Sequence, residues 1–181
     1  MPLKLILGPM KSGKSFELIS HFAPLKYTNI PYALYQSSRN VRDESVWSRN
    51  GLQLKARKVQ DLSEALNSGF EIVGIDEAHM FGESIAEEVK ALLERGTKVI
   101  AAGLDKDYKG ELFLPIKKLI ELGPSEVIFR RAVCESCKDP NAVYTQVLHK
   151  GVPIKGGLPS VLPEDGTYEY KVACRKCFVR G

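Results

Sequence analysis

The sequence predicts an α/β protein in which a mostly parallel sheet with flanking helices precedes a small, metal-stapled β domain. Over the first two thirds of the chain, short apolar runs alternate with segments of helical spacing, as in strand–helix–strand units. A glycine-rich loop follows the first apolar run, and two Cys-x-x-Cys pairs occupy the last third. From these observations we expect two domains, residues 1–127 and residues 128–181.

The glycine-rich loop has the pattern Gly-x-x-x-x-Gly-Lys-Ser and lies between an apolar strand and a helix. In that context the pattern binds the phosphates of a nucleoside triphosphate. Its glycines permit a tight turn whose N–H groups converge on an anion, and the next helix adds its positive dipole end. We therefore expect ATP to bind here, in a RecA-like P-loop fold. The loop residues are Gly8, Pro9, Met10, Lys11, Ser12, Gly13, Lys14 and Ser15.

An acidic pair adds the second half of this chemistry. The apolar run 70–75 ends in Asp76 and Glu77. At the tip of a buried strand beside the loop, Asp76 can hold Mg²⁺ together with the hydroxyl of Ser15. Lys14 supplies a cation for the β and γ phosphates, and Glu77 can take a proton from a hydroxyl or a water.

The other elements of the first domain follow from the spacing of apolar residues. Helices are predicted over 14–27, 61–66, 83–94 and 115–122, and strands over 3–7, 31–35, 52–56, 70–75 and 97–102. The polar, arginine-rich stretch 36–50 is predicted to be a long connection. An arginine in it either reaches the phosphates of the nucleotide or is simply solvated.

The second domain is predicted from a change of pattern at about residue 126. Segments 142–148 and 152–154 predict a hairpin, and segment 168–172 predicts a further strand. The intervening loop, residues 156–166, is too rich in glycine and proline to be regular. Because it lies between two rigid anchors, this loop is suited to closing over a bound ligand.

Four cysteines occur in two pairs, Cys134 with Cys137 and Cys174 with Cys177. Two pairs of this spacing are typical of a closed, structural zinc site with four sulfur ligands. Disulfides and a redox pair are the alternatives. We expect the protein to be cytoplasmic, where disulfides are disfavoured.

Composition and charge limit the partners. No apolar run approaches the ~20 residues of a membrane span, and no signal-peptide pattern is present, so we expect no membrane partner. The net charge is +4, without a block of basic residues. We therefore expect no nucleic-acid partner.

Several motifs follow one another in a specific order. They are Gly8-Pro9-Met10-x-Ser12-Gly13-Lys14-Ser15, Ile75-Asp76-Glu77-Ala78, Ala102-Gly103-Leu104-Asp105, Tyr144-Thr145 and Tyr170-x-x-x-Cys174-Arg175-x-x-Cys177. Together they resemble the zinc-containing thymidine kinases of the cellular and bacterial type, over nearly the whole chain. The resemblance implies transfer of the γ-phosphate of ATP to the 5′-hydroxyl of thymidine, by an enzyme that is usually a homotetramer.

The resemblance also implies roles for individual residues. Glu77 would be the general base, and Arg42 would stabilise the transferring phosphoryl group. Residues at six further positions would surround the nucleoside: Met10, Met80, Leu104, Tyr108, Thr145 and Tyr170. Met80 stands where the family has an aromatic residue, and its thioether can pack on a pyrimidine ring.

Two rival functions remain open at this point. Lys11 and Met80 replace usual aromatic residues and Asn40 a usual aspartate, so a nucleotide-binding protein without activity or with altered specificity remains an alternative. His79 also departs from the family pattern, which has a glutamine there. The sequence from Asp76 to His79 also spells the acidic box of DEAH-type ATPases. We expect a chain of 181 residues to lack room for the second motor domain that such an ATPase needs.

Overall fold

The computed structural model describes residues 2–40, 45–47, 53–162 and 166–180. Arg42 lies outside the described residues. Within them the chain forms eleven strands. They are β1 (Leu3–Leu7), β2 (Tyr32–Ser37), β3 (Ser45–Trp47), β4 (Gln53–Lys55), β5 (Arg57–Val59), β6 (Ile72–Asp76), β7 (Lys98–Gly103), β8 (Glu126–Phe129), β9 (Tyr144–His149), β10 (Val152–Pro153) and β11 (Glu169–Ala173).

Six strands form one sheet in the order β5-β2-β6-β7-β1-β8, and every neighbouring pair in it is parallel. Helices cover both faces, which confirms the predicted α/β class. The helices are α1 (Lys14–Phe22), α2 (Ser63–Leu66), α3 (Ile85–Glu94) and α4 (Leu114–Glu121), with two 3₁₀ helices at Ala23–Tyr27 and Ala78–Met80.

Side chains alternate across the sheet and build a core on each face. Along β1, Leu5 and Leu7 join the larger core with α3 and α4, whereas Ile6 joins the smaller core with α1. All three side chains are fully buried. An apolar strand buried on both faces is what a central parallel strand requires, so the continuous apolar runs of the sequence occupy the middle of the sheet.

Two predicted elements differ from the observed ones by more than two residues. The first helix was expected to reach residue 27, but α1 ends at Phe22 and continues as a 3₁₀ helix, in whose first turn Pro24 has no N–H to donate. The stretch 36–50 was expected to be a connection. It contains the end of β2 and all of β3, which pairs antiparallel with β4 in a separate ribbon.

The small sheet has the order β10-β9-β11 and is antiparallel throughout, which confirms the predicted hairpin. Strand β8 pairs with β1 in the large sheet and spans the expected domain boundary at residue 127. The large sheet therefore extends past that boundary, and the division into two domains stays a prediction. Among the described residues, no helix combines the length and apolar character that a membrane crossing needs.

Candidate active site

The glycine-rich loop connects β1 to α1 at the carboxyl edge of the sheet, where ligands of such sheets bind. Gly13, with φ +82°, turns the chain into α1 in the left-handed conformation that glycine adopts without cost. The ammonium of Lys14 is buried and donates to the carbonyl of Pro9 over 2.7 Å. This contact bends the loop around the Lys14 side chain. A loop bent in this way can direct its N–H groups at a phosphate.

Gly8 is required by the close approach of another segment to the loop. Its φ is +148°, and a Cβ on it would lie 2.4 Å from the carbonyl oxygen of Arg130. Gly8→Ala is therefore expected to lower the free energy of unfolding by about 2 kcal/mol and to weaken ATP binding. Urea unfolding and titration with a non-hydrolysable ATP analogue measure the two effects.

Gly69→Ala is the matched control, because a Cβ at Gly69 meets no atom within 4 Å. Wild-type stability and wild-type ATP affinity in Gly8→Ala would contradict the assignment of Gly8 to close packing.

Asp76 ends β6 beside the loop and is 4% exposed. Burial, and then the negative charge of Glu77, raise the pKa of its carboxyl to about 8, while Lys14 acts in the opposite direction. One hydrogen bond comes from the amide of Gln36 over 3.4 Å. A nearby cation would stabilise a carboxylate that is buried in this way. The surroundings of Asp76 therefore suit a ligand of a divalent metal ion.

Glu77 follows Asp76 with φ +50°, a left-handed conformation that is rare outside glycine. Such strain is typical of functional sites, where the surrounding structure holds it. The turn brings the Glu77 side chain, 30% exposed, to the wall of a cavity that Lys14 also lines. A carboxylate and an ammonium group therefore line one cavity.

His79 connects the ends of two neighbouring strands. Its Nδ1 accepts a hydrogen bond from the backbone N–H of Leu104, after β7, over 3.2 Å, and its ring packs on Phe113 with centroids 4.8 Å apart. Burial lowers the pKa of His79 to about 4, although the negative charge of Glu77 raises it. The imidazole is therefore neutral at pH 7, with its proton on Nε2, and gives no proton to Glu77 from Nδ1.

The buried neutral His79 makes stability depend on pH. Its folded pKa lies below the ordinary 6.5, so its contribution is complete above pH 6.5 and is lost as pH falls toward 4. A glutamine at position 79 can accept the hydrogen bond of Leu104 through its amide oxygen but does not titrate. His79→Gln is therefore expected not to show this loss. The unfolding free energy of the wild type relative to the variant should then fall by at most about 3 kcal/mol between pH 7 and pH 4. Urea unfolding at both pH values tests this, and equal pH dependence would refute it.

The cavity has a volume of about 550 Å³, the size of a small-molecule site. Phosphate-loop residues, the acidic turn, the segment after β7 and the small sheet contribute to its wall. The predicted site residues that line it are Met10, Lys11, Ser12, Gly13, Lys14, Ser15, Glu77, Met80, Leu104, Tyr108, Thr145 and Tyr170. Among the described residues predicted to bind nucleotide, magnesium or nucleoside, Gly8, Pro9 and Asp76 do not line it.

The four cysteines converge at one point. Their sulfur atoms all lie within 4.8 Å of one another, and Sγ of Cys137 is 3.6 Å from Sγ of Cys174. All four thiols are free, so the cluster holds no disulfide. Sulfurs bound tetrahedrally at about 2.3 Å from zinc lie roughly 3.8 Å apart, so the cluster fits a metal ion.

Comparison with known proteins identifies the family. A family model described as thymidine kinase matches residues 1–178. The chain belongs to the thymidine kinase family. A curated relative, the thymidine kinase of Thermococcus kodakarensis, is 33% identical over 184 residues, which cover 96% of this chain and 92% of the relative. The resemblance expected from the motifs is thereby confirmed, and the DEAH-type ATPase reading is set aside.

Arg130 is a site residue that the sequence analysis missed. It follows β8, its Nε donates to the carbonyl of Ser12 over 3.3 Å, and its Nη1 lies 3.4 Å from Oε2 of Glu17. It also lines the cavity. No motif in the sequence marks Arg130 as a site residue. Only the pairing of β8 with β1 brings it to the phosphate loop of this member of the thymidine kinase family.

The glycine- and proline-rich loop meets the turn after β7. The hydroxyl of Tyr108 donates to the carbonyl of Leu158 over 2.7 Å and accepts from the N–H of Leu158 over 3.0 Å. The hydroxyl of Ser160 donates to Asp107 over 2.9 Å. These contacts hold the described part of the loop, up to residue 162, against the cavity.

Two residues of the phosphate loop contact the small sheet and the cysteine cluster. The backbone N–H of Met10 donates to Oγ1 of Thr145, in β9, over 3.0 Å. The ammonium of Lys11 forms an ion pair with Glu135, which lies between Cys134 and Cys137. Hydrogen bonds from Lys11 and from the backbone of Val172 hold the pKa of Glu135 below its usual range.

Proposed function

We propose that this protein transfers the γ-phosphoryl group of ATP to the 5′-hydroxyl of thymidine, giving dTMP and ADP. One observation carries the proposal. Lys14, Glu77 and the six residues expected around the nucleoside all line the same cavity. Phosphoryl transfer depends on holding donor and acceptor in line while water is excluded. Lining residues from the phosphate loop suit the donor, and Leu104, Tyr108, Thr145 and Tyr170 suit the acceptor.

The donor side consists of the loop from Gly8 to Ser15 at the start of α1. Its N–H groups and the Lys14 ammonium would hold the phosphates, aided by the dipole of α1. Ser15 and the Asp76 carboxyl would hold Mg²⁺, whose charge would stabilise the transferring group when it is bound. The buried position of Asp76 supports this assignment, because it is a carboxyl that gains from a cation.

The acceptor side has Glu77 at its centre. Its carboxylate would accept the proton of the 5′-hydroxyl as the phosphoryl group arrives. Arg42, outside the described residues, is proposed from the resemblance to stabilise that group. The nucleoside would lie among six residues, which are Met10, Met80, Leu104, Tyr108, Thr145 and Tyr170.

Three further proposals concern the metal, the oligomeric state and the location, and the second of them rests on the resemblance. The ion held by Cys134, Cys137, Cys174 and Cys177 is zinc in a structural role. The protein assembles as a homotetramer, which light scattering of the full chain measures. It acts in the cytoplasm on soluble substrates, without a membrane or nucleic-acid partner.

A panel of nucleosides tests the function. The zinc-loaded protein is incubated with ATP and Mg²⁺ and with thymidine, deoxyuridine, deoxycytidine or deoxyadenosine, and nucleoside monophosphates are measured. Thymidine is expected to be phosphorylated most efficiently. ATP without nucleoside is the control, because a closed site keeps water from the γ-phosphate. Binding of ATP without transfer to any nucleoside would overturn the proposal.

A further inference from the structure

We propose that Lys11 and Glu135 are positioning residues that couple ATP binding at the phosphate loop to metal binding at the cysteine cluster. The inference rests on the proposed function, in that residues 8–15 bind ATP. It assigns Lys11 to the support of the loop, whereas Lys14 meets the phosphates. Occupancy of either site then raises affinity at the other.

Lys11 combines a strained backbone conformation with a long-range ion pair. Its φ is +61°, in the left-handed region that costs a residue with a side chain free energy. Its ammonium is committed to Oε1 of Glu135, 124 residues away in the chain. The pair therefore helps to hold a strained residue in the middle of the phosphate loop, where a small shift misplaces every N–H that points at an anion.

Glu135 lies in the metal-binding turn. It follows Cys134 directly, and its backbone N–H donates to the carbonyl of Val172 over 2.9 Å. Its Oε2 accepts from the N–H of Val172 over 2.7 Å, two residues before Cys174. One carboxylate thus touches the phosphate loop with one oxygen and the second metal-binding segment with the other. Its position depends on both cysteine pairs being together.

Met10, next to Lys11, also contacts the metal-binding part of the chain. Its N–H donates to Thr145, and its side chain packs on the small core around the cluster, formed by Ala132, Cys134, Ala142, Val172 and Cys174. Two adjacent loop residues are therefore tied to the segments that a metal holds together. Both contacts support the loop whose other N–H groups, with Lys14, would hold the phosphates.

Coupling between the two sites is reciprocal by thermodynamic necessity. If metal binding orders the turn that supports Lys11, ATP binding must tighten metal binding by the same factor. The side chains of Lys11 and Glu135 are 31% and 34% exposed, so solvent screens the pair. We therefore expect a coupling of roughly fivefold, near the low end of known allosteric effects.

The experiment measures the zinc affinity of the loaded, full-length protein. Zinc-loaded protein is equilibrated with a chromophoric chelator of known zinc affinity, with and without a non-hydrolysable ATP analogue and Mg²⁺, and the zinc dissociation constant is obtained from the competition. In the wild type the analogue is expected to lower this dissociation constant about fivefold. In Lys11→Met and in Glu135→Gln, the constants with and without analogue should differ by less than twofold, and the double variant should resemble either single one.

The control is Lys118→Met, which removes a more exposed surface ion pair with Glu83, 3.0 Å long, between residues that do not line the cavity. It should keep the wild-type ratio. A wild-type ratio of one, or an unchanged ratio in Lys11→Met and Glu135→Gln, would overturn the inference. So would weaker analogue binding in Lys11→Met alone, because Lys11 would then be a direct phosphate ligand. Failure of the wild type to bind the analogue would instead overturn the donor site of the proposed function.

Discussion

Glu77→Gln is expected to lower kcat for thymidine phosphorylation roughly 10³-fold while leaving ATP affinity within about twofold. Glutamine keeps the size of the side chain and its place on the cavity wall but cannot accept the proton of the 5′-hydroxyl. The turn into the left-handed conformation should survive, because a polar side chain of the same shape replaces the carboxylate. Steady-state kinetics and titration with a non-hydrolysable ATP analogue give the two quantities.

The variant should also remain folded, which makes the result interpretable. The negative charge of Glu77 helps to raise the pKa of its buried neighbour Asp76, so its removal relieves a repulsion. Glu83→Gln is the matched control, because Glu83 is an exposed carboxylate on the protein surface. Turnover of Glu77→Gln at the rate of Glu83→Gln would show that Glu77 is not the base.

Cys174→Ser is expected to have the largest effect on stability. Loss of one of four sulfur ligands should reduce bound zinc from about one per chain to near zero, and metal-binding free energy in such sites is folding free energy. The small sheet should then lose protection, because β11 leads directly into Cys174. Atomic absorption measures the metal, and hydrogen exchange of β9 and β11 measures the local stability.

Ser136→Ala is the control for this variant, because Ser136 lies between two cysteines, is exposed and is not a ligand. The large parallel sheet should keep its slow exchange in both variants, since its cores do not include the cysteines. Full zinc content in Cys174→Ser would refute a site made of four sulfurs.

The phosphate loop, the acidic pair and the cysteine pairs could be predicted from the sequence because their chemistry is local. The loop from Gly8 to Ser15 needs only glycine at two positions and a lysine before a helix. The spacing of Cys134 and Cys137 suits one turn around a metal. Asp76 and Glu77 are recognisable because an apolar run ends there, and such runs form the central strands of a parallel sheet.

Other features depend on contacts between distant segments, which periodicity does not encode. The sequence gives no sign that β8 pairs with β1, and this pairing alone brings Arg130 to Ser12. Nor does it show that β3 and β4 form a separate ribbon. His79 is visible in the sequence only as an unusual residue, whereas the structure makes it a neutral acceptor for Leu104.

By itself, the sequence determined the family, the nucleotide-binding chemistry and the four-sulfur cluster of this protein. The tertiary structure decided what Lys11 does. In the sequence it is one more cation in a phosphate loop; in the fold it pairs with Glu135 beside the cysteine cluster. The physical reason is that the partner of a charged side chain is set by strand register and packing over 124 residues of chain, not by its neighbours in sequence.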